Sequence, residues 1–124
     1  MEPLELVERY LDTWNLTDPR ERGTALESVW DEDAEYVDPL ATASGRDQIS
    51  ELIGAVQQQV PGHVFRLSDA NEVDIHHNVM RFWWELVPTS GGDPLAIGFD
   101  VAVTKNDGRI GRVVGFLDKA PAAA

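Results

Sequence analysis

The sequence predicts an α+β domain in which helices lie on one face of an antiparallel sheet. Three observations carry this. Apolar residues recur at helical spacing as far as Val60, the pattern changes to strand-like alternation from His63 onward, and two hairpin turn signals punctuate that second half. Those signals are Ser90-Gly91-Gly92-Asp93 and Asn106-Asp107-Gly108. At 124 residues, with no repeat or linker, the chain is read as a single domain spanning 1–124.

Leu4, Val7, Tyr10, Leu11 and Trp14 form the stripe of a first helix of roughly three turns. Asn15 to Asp18 breaks it, and Asp18-Pro19-Arg20-Glu21 starts a second helix. Asp18 would be the cap, Pro19 the first helical residue and Glu21 the reciprocal partner, with Leu26, Val29 and Trp30 as the buried stripe. Ala34 to Pro39 reads as a short strand closed by the proline. Ser44-Gly45-Arg46-Asp47 opens a third helix carried by Ile49, Leu52, Ile53, Val56 and Val60, and Pro61-Gly62 ends it. Strands then follow near 63–68, 71–77, 79–87, 95–104 and 110–118, and the tail, 119–124, is expected to fray.

Composition excludes several functions. There are no cysteines, so thiolate nucleophiles, disulfides and zinc–thiolate sites are absent. A net charge of −12 repels phosphate backbones and anionic lipid, which argues against nucleic-acid and membrane partners. The acidic start of the chain has no apolar export segment, and a cytoplasmic protein is expected. His76 and His77, adjacent on a strand, should point to opposite faces and so cannot chelate one metal. His63 stands alone, and no metal or other cofactor is expected.

The strand at 95–104 is the most informative stretch. Its odd positions are bulky and apolar, whereas its even positions, Ala96, Gly98, Asp100, Ala102 and Thr104, are small residues around one carboxylate. Either that face is solvated, or it floors a cavity into which Asp100 projects. Ala and Gly in place of Lys and Glu favour the cavity. In the last strand Gly111, Val113, Gly115 and Leu117 make a similar slim face, with Ile110 and Phe116 on the other. Met80, Phe82, Trp84 and Leu86 suit a pocket wall. On the opposite face Arg81 and Glu85 could pair across Trp83, and this side is a candidate homodimer surface unless a loop covers it.

Asp38 precedes Pro39, which holds it extended, although Asp-Pro also begins many ordinary turns. Tyr10 turns its hydroxyl toward the sheet, either as a satisfied core tyrosine or as a donor into the pocket.

Tyr10, the Tyr36-Val37-Asp38-Pro39 segment, Gly45-Arg46-Asp47 and Asp100 ahead of an Asp-Gly turn resemble one superfamily. It contains nuclear transport factor two, the ketosteroid isomerases and the SnoaL-like polyketide cyclases. The resemblance runs from about Leu4 to Asp118, and it implies a cone-shaped, curved mixed sheet with three N-terminal helices enclosing a pocket.

It also implies chemistry. Asp38 would be a base that takes a proton next to a carbonyl, with Tyr10 and a neutral Asp100 donating to the enolate, as in the isomerase that serves as a standard case of carboxyl tuning. In the cyclase branch the strand aspartate is itself the acid/base, so Asp100 is the alternative. Trp14, Tyr36, Phe82, Trp84, Leu86, Gly98, Ala102, Val113 and Leu117 are the expected substrate contacts.

The expected ligand is a small hydrophobic carbonyl compound, because Trp84 narrows the pocket below steroid size. Epoxide hydrolysis is disfavoured, since Gly98 stands where that branch needs an arginine. Isomerase or aldol-type cyclase chemistry without a cofactor is the first expectation. The second is a non-catalytic binding or accessory protein, and a pure interaction module ranks last. The catalytic reading requires Asp38 and Asp100 on the same side of the sheet.

Overall fold

The computed structural model describes residues 1–120, and positions 121–124 of the expected frayed tail lie outside the described residues. Helices α1 (Pro3–Thr13) and α2 (Pro19–Val29) lead into strands β1 (Trp30–Val37) and β2 (Thr42–Ser44) and helix α3 (Gly45–Gln59). Strands β3 (His63–Leu67), β4 (Asp74–His76), β5 (Val79–Pro88), β6 (Ala96–Thr104) and β7 (Ile110–Lys119) complete the chain. The sheet has seven strands in the order β2-β1-β7-β6-β5-β3, with β4 beside the far end of β5. Among the described residues only the β1–β7 pairing is parallel, so the sheet is mixed. Register shifts in β1 and at both ends of the β6–β7 pairing mark bulges, which bend strands and increase twist. A curved, unclosed sheet around three helices results.

In α1 the buried row is Leu6, Tyr10 and Thr13, flanked by Val7 and Leu11, whereas Leu4 is 48% exposed. Successive steps of four and three along a helix stack on one side, and Leu6 belongs to that row. Asp18 caps α2 by accepting from the Arg20 N–H at 2.9 Å, but no bond from Glu21 returns to it among the described residues. Trp30 leaves the helix and begins β1, still fully buried.

Arg22, 5% exposed, ties α2 to α3 and to the loop before it through Ser50 Oγ, Gln57 Oε1 and the Leu16 carbonyl. Gln57 donates in turn to the Trp14 and Leu16 carbonyls, which fixes the loop between α1 and α2.

The run Asp31-Glu32-Asp33 hides the start of β1 from a propensity reading, because acidic residues are depleted in strands. Lys105, 3.0 Å away, and Arg109 answer the Asp31 carboxylate. In β7 the register slips beside Gly111, so Ile110 turns inward to 1% exposure rather than joining the outer face. Val113 and Gly115 are buried and Leu117 half-buried, as the slim-face parity predicts. Lys119 is still paired in β7, where its Nζ reaches the Pro94 carbonyl at 2.8 Å, so it is part of the sheet and not of a frayed tail.

β6 is built the reverse of an ordinary amphipathic strand. Its small even positions Ala96, Gly98, Asp100 and Ala102 are buried, and its bulky odd ones are half-exposed on the outer face. There Trp83 and Phe99 lie 4.4 Å apart between ring centroids, and Phe116 remains 51% exposed, with no loop over it among the described residues. Arg81 and Glu85 do not pair across Trp83. Arg81 bonds Asp74 and Glu85 bonds Arg66, each at 3.0 Å, because the antiparallel neighbours β4 and β3 bring those partners directly opposite.

His76 and His77 also depart from expectation. His77 adopts φ 50° in the turn after β4, so alternation stops there and the two Nδ1 atoms meet at 3.3 Å. No helix among the described residues is long and apolar enough to cross a membrane.

Candidate functional site

Between the helices and the concave face of the sheet lies a cavity of about 170 Å³. Cavities of about 150 Å³ hold a benzene-sized molecule, so this space is far below steroid size. Tyr10, Trp14, Tyr36, Asp38, Trp84, Leu86, Asp100 and Leu117 line it, all of them expected from sequence.

Phe82, Gly98, Ala102 and Val113 do not line it. Phe82 is 1% exposed and packs edge-on against Tyr10, while Ala102 and Val113 are buried in the core beneath. Gly98 lies directly under the Trp84 indole, which takes the space a side chain there would occupy. An arginine at that position would collide with the same ring.

Sequence reasoning missed part of the wall. Leu11, Val56 and Val60 from the helix stripes and Phe65 from β3 also line it, positions that periodicity marks as apolar without showing that they face a cavity. Leu40, 82% exposed at the rim, carries no sequence signal at all. Phe65 joins Trp14 and Trp84 in a row of rings with centroids 5.4 and 5.3 Å apart, and Trp14 also meets Tyr36 at 5.5 Å. Among the described lining residues there is no Lys, Arg or His.

Two carboxyls face this space from the same side of the sheet. Asp100 on β6 stands opposite Gly115 on β7. A Cβ on Gly115 would sit 2.8 Å from Asp100 Oδ1, 3.4 Å from Asp38 Cβ and 3.7 Å from the Tyr36 hydroxyl. The missing side chain of Gly115 therefore keeps open the gap on which both acids and Tyr36 converge.

Their surroundings differ. Asp100 is 2% exposed, and its Oδ2 accepts from the Tyr10 hydroxyl at 3.1 Å. Burial pushes its carboxyl up to about 7. The Trp84 indole and the Tyr10 hydroxyl pull back as hydrogen-bond donors, and the charge of Asp38 adds to the rise.

Asp38 is half-buried and serves the turn between β1 and β2. Its Oδ1 accepts from the Leu40 and Ala41 N–H groups at 2.8 and 2.9 Å, and its Oδ2 from the Tyr36 hydroxyl at 2.6 Å. The ordinary Asp-Pro turn and the pocket carboxylate are thus the same residue in two capacities. Burial first, then nearby carboxylate charge, holds both Tyr10 and Tyr36 well above the usual phenol range, so both remain protonated donors.

The Tyr10 hydroxyl is committed to Asp100, which fixes a consequence. Tyr10→Phe removes a donor that favours the ionised form, so the Asp100 midpoint should rise further. A bond to a charged group worth about 1.5 kcal/mol corresponds to roughly one pH unit. A carboxyl-carbon NMR titration reads this directly, and an unmoved midpoint would mean that the bond does not form in solution.

Comparison with known proteins follows this geometry. Residues 7–113 match the SnoaL-like domain. No curated protein matches. Among solved structures, the chain is similar to a SnoaL-like family protein from Agrobacterium tumefaciens, described as a candidate isomerase. The identity is 39%, with 93% of this chain and 96% of that one covered and a TM-score of 0.86.

A candidate polyketide cyclase from Sinorhizobium meliloti shares 19% identity over 90% and 93% of the two chains, with a TM-score of 0.67. A protein of ketosteroid isomerase-like fold from Catenulispora acidiphila, solved with trimethylamine, shares 18% over 93% and 85%, at a TM-score of 0.69. These last two show the fold. Taken with the match over most of its length, the chain belongs to the SnoaL-like domain family.

Proposed function

We propose that the protein catalyses cofactor-free proton transfer next to the carbonyl of a small apolar substrate, as an isomerase or aldol-type cyclase, with Asp100 as the acid/base. The observation that carries this is Asp100 itself: a carboxyl 2% exposed on the floor of an apolar cavity, pushed up to about 7. A group with that midpoint is populated in both protonation states at neutral pH, which suits it to take a proton and return it.

Ionised Asp100 removes the α-proton. The C–H bond breaks, an O–H bond forms on the carboxyl, and the electron pair moves into the enolate. Asp100 then returns the proton, either to another carbon of the conjugated enolate or to the alkoxide left when the enolate closes on a second carbonyl.

Tyr10 is a positioning residue in this scheme. Its hydroxyl engages Oδ2, so the proton resides on Oδ1, the oxygen turned toward Gly115 and the open gap. The Tyr36 hydroxyl already donates to Asp38 Oδ2, so of the two donors in this wall the indole N–H of Trp84 is the one that can turn from Asp100 to the developing charge once Asp100 is protonated. Asp38 is less suited to the base role, because its Oδ1 already accepts two backbone donors.

The test is deuterium incorporation at the α-carbon of small cyclic ketones in D₂O, followed by NMR. The rate should rise through a single ionisation near pH 7. Absence of exchange across a panel that demonstrably occupies the cavity would remove the catalytic reading and leave a binding protein.

A further inference from the structure

We propose that the substrate carries a protonated amine beside its apolar body, held at the cavity rim by the Asp38 carboxylate against the aromatic wall. The proposal rests on this cavity being the ligand site.

The argument begins with charge. Two carboxyls line the space, Lys, Arg and His are absent from its described walls, and the chain as a whole carries −12. A carboxylate or phosphate on a ligand would enter without a counter-charge, beside acids that repel it, and would lose hydration for nothing. An ammonium meets the opposite situation.

Asp38 is built to receive it. The Leu40 and Ala41 N–H groups and the Tyr36 hydroxyl fix the orientation of the carboxylate, yet Oδ2 accepts only one of those bonds and keeps a lone pair. Because Asp38 is half-buried at the rim, an ammonium there keeps part of its water and avoids the penalty of a fully buried pair.

The wall adds a second attraction. Tyr36, bonded to Asp38, packs on Trp14, and Trp14 on Phe65. Aromatic faces attract a cation within about 6 Å, most strongly where water is displaced. An Asp serving only its turn would need neither the cavity beside it nor this row of rings.

The experiment uses three probes of one shape: cyclohexylammonium, cyclohexanol and cyclohexanecarboxylate. They are titrated at pH 7.5 into the full chain, with methyl NMR shifts of Val56 and Leu117 reporting occupancy of the cavity. The ammonium should bind roughly tenfold more tightly than the alcohol, as a cation–aromatic and carboxylate site implies, and the carboxylate most weakly. In Asp38→Asn, which keeps an oxygen for the turn, the ammonium and alcohol should converge.

An alcohol that binds as tightly as the ammonium overturns the inference while leaving proton-transfer chemistry in this cavity intact. A preference that survives in Asp38→Asn also overturns it, since diffuse charge would then be the cause. If no probe moves the cavity methyls, the inference and the proposed function fail together. If the variant does not fold, the titration repeated in about 0.5 M salt separates the two causes, because a preference from diffuse charge is screened away there and one from the partly buried Asp38 persists.

Discussion

Asp100→Asn should lose turnover by a factor of about 10² to 10⁴ and, at pH 8, be more stable than the unsubstituted chain. The two effects have one origin. In the folded protein burial holds the Asp100 carboxyl up to about 7, against an ordinary value of 3.8. Between those two values the folded chain keeps a proton that the unfolded chain has released, so stability falls as pH rises through that window.

Below about pH 4 both states are protonated and the burden vanishes, and above pH 7 it is complete. A difference of this size corresponds to about 4 kcal/mol as an upper bound, since water entering the cavity reduces it. Asparagine keeps the shape and a hydrogen-bond acceptor for Tyr10 but never ionises, so the variant lacks this pH-dependent burden. For a chain of 124 residues each kcal/mol moves Tm by about 4 °C.

Melting curves of both chains at pH 4, 6, 7 and 8 should therefore start within a few degrees of each other and separate with rising pH. Parallel curves would mean that Asp100 is not strained when ionised, and activity in the Asn chain would end its role as acid/base.

Much of this arrangement was legible in the sequence because β6 violates the ordinary pattern so plainly. Small residues around a carboxylate are a poor core and a poor surface, and a cavity floor is the remaining use. The three helices and the slim face of β7 followed from periodicity in the same way.

What escaped has specific causes. The start of β1 was masked by three consecutive acids, one of which is satisfied by Lys105 from 74 positions later. The inward turn of Ile110 depends on a bulge, and a one-residue slip reverses every side chain beyond it. His77 met its neighbour because a positive φ ended the alternation. Within the site, the three catalytic candidates do converge, but Tyr10 points at Asp100 and Asp38 is bound into its turn. Which hydroxyl serves which carboxyl is a matter of tertiary distance, which spacing along the chain does not encode.

The largest structural effect should come from Gly98→Ala, a change that in an isolated strand would be favourable. Glycine weakens a strand interior through backbone entropy, and alanine there normally recovers about 0.5–1 kcal/mol. Here the added Cβ would overlap Cζ2 and Cε2 of the Trp84 indole and lie 2.6 Å from its Nε1. Neither partner can yield easily. Gly98 is fixed by pairing with Trp84 on β5 and Leu117 on β7, and the indole is wedged against Phe65 with centroids 5.3 Å apart.

The ring must leave its rotamer, and overpacking of this kind costs about 1–3 kcal/mol. Displacing the indole also removes a donor that restrains Asp100, so the carboxyl should titrate above 7 in the same variant. The cause can be isolated by a double-mutant cycle. In a Trp84→Leu background the added methyl has no ring to strike, and Gly98→Ala should cost less than about 0.5 kcal/mol there. Equal costs in the two backgrounds would mean that Gly98 is required by the backbone of β6 and not by Trp84. The indole would then be free to move, and the narrow wall of the cavity would no longer set the size of its ligand.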